Sequence, residues 1–195
     1  LHDPGWVNNE LQSYTNSSKN IYLKDGNLVI QPIKTEDKAT GKVTYTSGRV
    51  NTQNKVDIKY GKVEVRAKLP KGQGIWPAIW MMGTDRPTVG WPECGEIDIM
   101  ENVGYDPKRF HATVHTPGSR KDPDAVIRSN SILLPDAYTN FHVFAVEWHE
   151  DRLDFFVDEK LTLSYLKDET LPQYWRFDKP HYLLLNLAIG GAWGG

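Results

Sequence analysis

With 195 residues, 23 Lys and Arg and 25 Asp and Glu, the chain is long enough for a sizeable core and too evenly charged to track a phosphate backbone. No nucleic-acid partner is therefore expected. No apolar run reaches the ~20 residues that span a bilayer, so no membrane partner is expected either. The single cysteine, Cys94, excludes an internal disulfide and reads as a small apolar filler.

The N-terminal LHDPGWVNNE has neither the basic start nor the apolar stretch of a signal peptide. DGNLVI (25–30) reads as a turn followed by a strand, and KTEDKATGKVTYTSG (34–48) as a loop-like surface excursion. KVEVRAKL (62–69) alternates, with Val63, Val65, Ala67 and Leu69 on one face and Lys62, Glu64, Arg66 and Lys68 on the other. FHVFAVEWHEDRLDFFVDEKLTLSY (141–165) reads as three strands joined by polar turns at Glu150–Asp151 and Asp158–Glu159. HYLLLNLAIGG (181–191) is a nearly continuous apolar run holding one polar residue, Asn186. Only short helical turns are predicted, near 136–140 and 170–176. Many short strands, several apolar on both faces, predict an all-β sandwich of two antiparallel sheets in a single domain over residues 1–195.

GEIDIMENVG (95–104) crowds Glu96, Asp98 and Glu101 among apolar neighbours that read as a strand. On a regular strand Glu96 and Asp98 share one face and Glu101 points to the other. One extra residue bulging the strand at Ile99–Met100 returns Glu101 to their face. The outer pair is then an effective four positions apart, ~13 Å between Cα atoms, a gap that two glutamates leaning together narrow. Retaining glycoside cleavage uses two carboxyl groups ~5–5.5 Å apart, one as nucleophile and one as acid/base. An aspartate between them can modulate the nucleophile, because close like charges push pKa values apart. Taken alone, the spacing also suits a polar strand face in water or a cation site.

Tryptophan occurs seven times, at 6, 76, 80, 91, 148, 175 and 193. Trp76, Trp80 and Trp91 lie just upstream of the acids, and sugar C–H faces stack on aromatic planes, so an indole-lined groove suits an oligosaccharide. Core packing suits any one of them as well. In HATVH the alternation puts His111, Thr113 and His115 on one face. A two-histidine metal site lacks an evident third ligand there, and His111 reads as a structural histidine.

GEIDIMENVG resembles the catalytic motif of glycoside hydrolase family 16 in its bulged E-x-D-x-x-E form, typical of laminarinases and related endo-β-1,3-glucanases; lichenases carry E-x-D-x-E. GWVNNELQSYT (5–15), TSGRV (46–50), YGKVEVRAKLPKGQGIWPAIWMMG (60–83), WPECGEIDIMENVG (91–104), HATVHTPG (111–118) and LLLNLAIGGAWGG (183–195) are similar to the same pattern in the same order. The resemblance implies a jelly-roll sandwich of two curved antiparallel sheets with a concave cleft, cutting internal β-1,3 linkages of a β-glucan polysaccharide with retention. It implies Glu96 as nucleophile, Asp98 as its assistant and Glu101 as acid/base. It implies Trp76, Trp80 and Trp91 as sugar platforms, Asn9, Arg49 and Asn186 as polar anchors, Trp193 as a further cleft ring, and His115 beside the acid/base. Mixed-linkage glucan, agarose or carrageenan are alternative substrates within the family. A glucan-recognition module is the alternative outside catalysis, against which the presence of all three acids argues.

Against the family's usual extent both ends look short, as if terminal strands were lacking. No cofactor is expected for catalysis. A structural calcium ion is a further expectation, with the Gly26 carbonyl as one remaining ligand. A polymeric glucan does not enter cells, so extracellular action by a secreted monomer is expected.

Overall fold

The computed structural model describes residues 3–5, 7–117 and 129–195; Trp6 and Gly118 of the motifs above lie outside them. The first strands are β1 (Gln12–Tyr14), β2 (Ile21–Lys24), β3 (Asn27–Ile30), β4 (Ile33–Glu36), β5 (Val43–Ser47) and β6 (Arg49–Asn51). The long strands β7 (Gly61–Ala67) and β8 (Ile75–Gly83) follow, then a helical turn α1 (Arg86–Val89), β9 (Glu96–Asn102) and β10 (Arg109–His115). The chain continues through β11 (Ser129–Leu133), β12 (His142–Trp148), β13 (Arg152–Val157), β14 (Lys160–Leu166), β15 (His181–Ile189) and a last helical turn, α2 (Gly191–Gly194).

Two antiparallel sheets dominate. One has six strands in the order β11-β10-β9-β8-β15-β6, the other four in the order β14-β13-β12-β7. Their facing sides form the core. Ile79, Met81, Ile97, Ile99 and Met100 from the larger sheet meet Val63, Phe144, Val146, Trp148, Leu153, Phe155 and Leu163 from the smaller. Each such side chain contributes roughly 1.5–3 kcal/mol when fully buried. The alternation expected for 62–69 matches: Val63 is buried while Lys62, Glu64 and Arg66 are exposed. Residues 141–165 form three antiparallel strands with turns at the expected places. Trp148 and Trp175 are core tryptophans, 1% and 6% exposed.

The stretch 34–48 is a correction. Its ends pair as the β4–β5 hairpin, from Ile33↔Thr46 to Glu36↔Val43. The β-branched and aromatic run VTYT outweighs the charged KTEDK before it, and Asp37 caps the turn by accepting from the Ala39 amide at 2.8 Å. β5 also pairs with β1 in parallel, so the small β1-β5-β4 sheet departs from an all-antiparallel pattern. Residues 136–140 form a turn closed by Asn140 N–H on the Asp136 carbonyl, and Pro172–Tyr174 forms a single 3₁₀ turn.

Six strands over four leave part of the larger sheet without a facing strand. Under β15 and β8, an apolar cavity of about 500 Å³ opens between Val65, Leu69, Pro77, Ile79, Leu185 and Leu187, with Leu28 and Ile30 of the β2–β3 hairpin across it. The opposite face of the same large sheet carries the acids.

Candidate active site

Cross-strand pairing locates the three carboxylates. On β8, Met82 pairs with Glu96, Trp80 with Asp98, Ile79 with Met100 and Ala78 with Glu101. Ile99 has no partner of its own. β10 shows the same shift, with His115 opposite Glu96, Thr113 opposite Asp98 and His111 opposite Glu101. The extra residue therefore lies at Ile99–Met100, both side chains enter the core (2% and 1% exposed), and Glu101 returns to the face of Glu96 and Asp98. Glycines hold the ends of this strand. A Cβ on Gly104 would lie 1.6 Å from the Gly72 carbonyl oxygen, and Gly95, at φ +76°, packs on Arg176 and His181.

All three acids line a cavity of about 530 Å³, together with Arg49, Trp76, Trp80, Trp91, His115, Asn186 and Trp193. Asn9 does not line it: it is exposed at φ +56°, while its neighbours Asn8 and Glu10 do. Glu10, Tyr14, Met82, Arg86 and Tyr182 are lining residues that the sequence reading passed over. For Glu10 and Tyr14 a signal existed, since Glu10, Gln12 and Tyr14 alternate and all three are buried.

The indoles grip the acids. Trp76 Nε1–H donates to Glu101 Oε1 at 2.9 Å and Trp91 Nε1–H to Glu96 Oε2 at 2.5 Å. Trp80 Nε1–H donates instead to Asn186 Oδ1 at 2.6 Å. Trp193 packs edge-on against Trp76 at 5.4 Å and against His111 at 5.1 Å, so the two rings brace the Glu101 partner. His115 Nε2 lies 3.2 Å from Asp98 Oδ2, an ion-pair distance, though the alignment makes no hydrogen bond and, among the described residues, Oδ2 has no such partner.

Burial dominates the electrostatics. Asp98, 2% exposed, has its carboxyl pushed well above the usual carboxylate range by burial and then by Glu101, with a hydrogen bond to Glu96 opposing. Glu96 is raised by burial and the Asp98 charge, against His115 and the Trp91 indole. Glu101 is raised to about 7 by burial, with the Trp76 hydrogen bond lowering it and Glu96 raising it. Three carboxylates so close and so dry do not all ionise at neutral pH.

As for metals, Gly26 lies in the β2–β3 turn at φ +75°, and one carbonyl falls short of the about six to eight oxygens calcium takes. Among the described residues, the acids and imidazoles close enough to share an ion are Glu96, Asp98 and His115, whose ligand atoms lie within 4.8 Å of one another. They belong to the cavity rather than to the Gly26 turn.

Residues 6–195 match the family described as glycosyl hydrolases family 16. The chain is 43% identical over 200 residues to a β-glucanase of Rhodothermus marinus, covering 98% of this chain and 68% of that protein. To glucan endo-1,3-beta-glucosidase A1 of Niallia circulans it is 37% identical over 209 residues, covering 98% of this chain but 30% of that longer protein. The laminarinase catalytic domain of Thermotoga maritima, at 43% identity, shares its fold with a TM-score of 0.84 over 98% of this chain and 77% of that one.

Proposed function

The chain belongs to glycosyl hydrolase family 16, and from that premise we propose that it hydrolyses internal β-1,3 linkages of laminarin-type glucans with retention. The observation that carries this reading is the bulge, which sets Glu96, Asp98 and Glu101 on one cavity face beside indoles that hydrogen-bond the outer two.

The roles follow from proton placement. Asp98 is the most buried of the three, so its ionised form is the costliest, and in the reacting complex the proton shared between Asp98 and Glu96 rests on Asp98. That leaves Glu96 as the anion, steadied by the Trp91 N–H, to attack the anomeric carbon. Glu101, raised to about 7, gives its proton to the departing glycosidic oxygen. The bond to that oxygen breaks as the glycosyl ester on Glu96 forms. Glu101, now ionised, takes a proton from water, whose oxygen attacks the same carbon from the opposite side and releases Glu96. Two inversions give retention. Trp76, Trp80, Trp91 and Trp193 offer ring faces and edges to sugar, with Arg49, Asn186 and His115 as polar contacts; Asn8 takes the place expected of Asn9. No cofactor enters any step. Among the described residues no helix is long and apolar enough to cross a membrane, and a polymeric substrate places the work of a secreted monomer outside the cell.

Reducing-sugar release from laminarin, mixed-linkage glucan and agarose tests the reading, with Glu96→Gln and Glu101→Gln as controls. Release should be greatest on laminarin and fall by ~10³-fold or more in both variants. NMR of early products should show the β-anomer first. Binding of laminarin without cleavage would replace the hydrolase reading with a recognition module, and preference for another polymer would move the substrate within the family.

A further inference from the structure

Glu10 is a buried carboxylate, 8% exposed, that takes no part in the proposed bond cleavage. It sits in the residue pair Glu10↔Gly190, where the N-terminal segment runs beside the end of β15. Its Oε2 accepts from Gln12 Nε2 at 2.7 Å and from the Tyr14 hydroxyl at 3.4 Å, and its Oε1 from Asn8 Nδ2 at 3.3 Å. A second chain of bonds leaves from Tyr14: its hydroxyl accepts from Asn186 Nδ2 at 3.0 Å, and Asn186 Oδ1 accepts from Trp80 Nε1–H at 2.6 Å.

The direction of this relay is dictated from both ends. An ionised carboxylate only accepts and an indole N–H only donates. Tyr14 therefore spends its one hydrogen on Glu10 and must accept from Asn186. That places the amide nitrogen toward Tyr14 and the amide oxygen toward Trp80, with no second arrangement of equal quality. Arg49 is locked into the same block, its guanidinium carbon 5.1 Å from the Trp80 ring centre and 6.0 Å from that of Tyr14. Cation–π contact on both sides fixes the plane of the group. Trp80 is thus left one ring face, and Arg49 a fixed direction, to present to the cleft.

We infer that Glu10 is a positioning residue: through Tyr14 and Asn186 it orients Trp80 and Arg49, and so sets the affinity of that wall of the cleft for the glucan chain. The inference rests on the hydrolase reading for its substrate but not for its geometry. A role in orientation should show in binding rather than in the chemical step, because the reacting carboxylates lie on β9 and take their indole partners from Trp76 and Trp91.

The test uses Tyr14→Phe, which cuts the relay and keeps the ring beside Arg49, and Glu10→Gln, which lets the relay run in either direction. On laminarin, KM should rise about 5- to 30-fold in each, with kcat within about twofold of the parent. The indole N–H resonance of Trp80, assigned by its loss in Trp80→Phe, should shift and exchange faster with solvent in both variants. An unchanged KM with a lowered melting temperature would reduce Glu10 to a structural role. So would an unmoved Trp80 resonance, and a loss confined to kcat would place Glu10 in the chemistry. If the parent protein cuts no β-glucan, the functional reading fails, while the Trp80 resonance still decides whether Glu10 orients that ring.

Discussion

Glu101 shows how two neighbours of one carboxyl oppose each other. Burial lifts it to about 7, and the Trp76 indole, donating at 2.9 Å to the charged form, pulls it down. For a general acid the sign is fixed: below about 7 the carboxyl holds the proton that the leaving oxygen needs, and above it the proton is gone. The kcat/KM profile on laminarin should therefore fall on its alkaline side with a midpoint near 7. Trp76→Phe deletes the donor, so that midpoint should move up by about half a unit to one unit. Initial rates of both proteins across the neutral range check this, and an unmoved midpoint would detach Glu101 from the acid role. At this scale the acids and their tryptophans were legible because both belong to one short, dense stretch. Glu10 and Tyr14 were not, although they alternate on one strand face. Their meaning comes from Asn186 and Ile189, which bond to Tyr14 and Gln12 across 172 and 177 positions, a distance no local pattern spans.

Among the elements, β9 carries the most consequence, because its irregularity decides which face a side chain takes. Ile99 is the residue without a cross-strand partner on either side, so deleting it should regularise the ladder without moving an acid. Met100 would follow Asp98 and face the core, and Glu101 would stay opposite Ala78. Deleting Ile97 instead sends Asp98 toward the core, because a one-residue slip exchanges the faces. Laminarin hydrolysis should thus survive deletion of Ile99 within about 10²-fold and fall by ~10³-fold or more on deletion of Ile97. Equal losses in rate assays on the two purified proteins would contradict the assigned bulge. The bulge could be read from sequence because three carboxylates on an apolar strand make sense only if the third turns back. The β4–β5 hairpin could not, because the charges of 34–38 hide β4 and because its partner β5 is held on the other side by β1, 33 positions upstream from Tyr45 to Gln12.

His181 ties the stability of the whole molecule to acid. Its ring is fully buried against Trp148 and Phe177, and burial pushes it down to about 4. The unfolded chain protonates near ~6.5, so between about 6.5 and 4 it binds a proton that the fold refuses. The contribution of His181 is complete above that window and is lost as pH drops through it, by up to roughly 3 kcal/mol at 1.36 kcal/mol per unit. Glu101, raised to about 7, gives the opposite slope over much of the same range, so the His181 contribution is read as a difference. In urea unfolding, the stability of the parent relative to His181→Phe, which keeps a ring and removes the titration, should fall as pH drops from about 6.5 to 4. On the smaller sheet, the edge strand β7 points Lys62 and Arg66 outward, charges that discourage a foreign strand from adding there. The strand order of the larger sheet has a consequence in time. β15, residues 181–189, lies between β8 and β6, so the sheet is completed from the middle by a strand synthesised more than 90 positions after its neighbour β8. Until that strand leaves the ribosome, β6 has no place to dock and Trp80 has no Asn186 to hold it. The wall of the cleft built on Trp80 is therefore assembled only after β15 has been made.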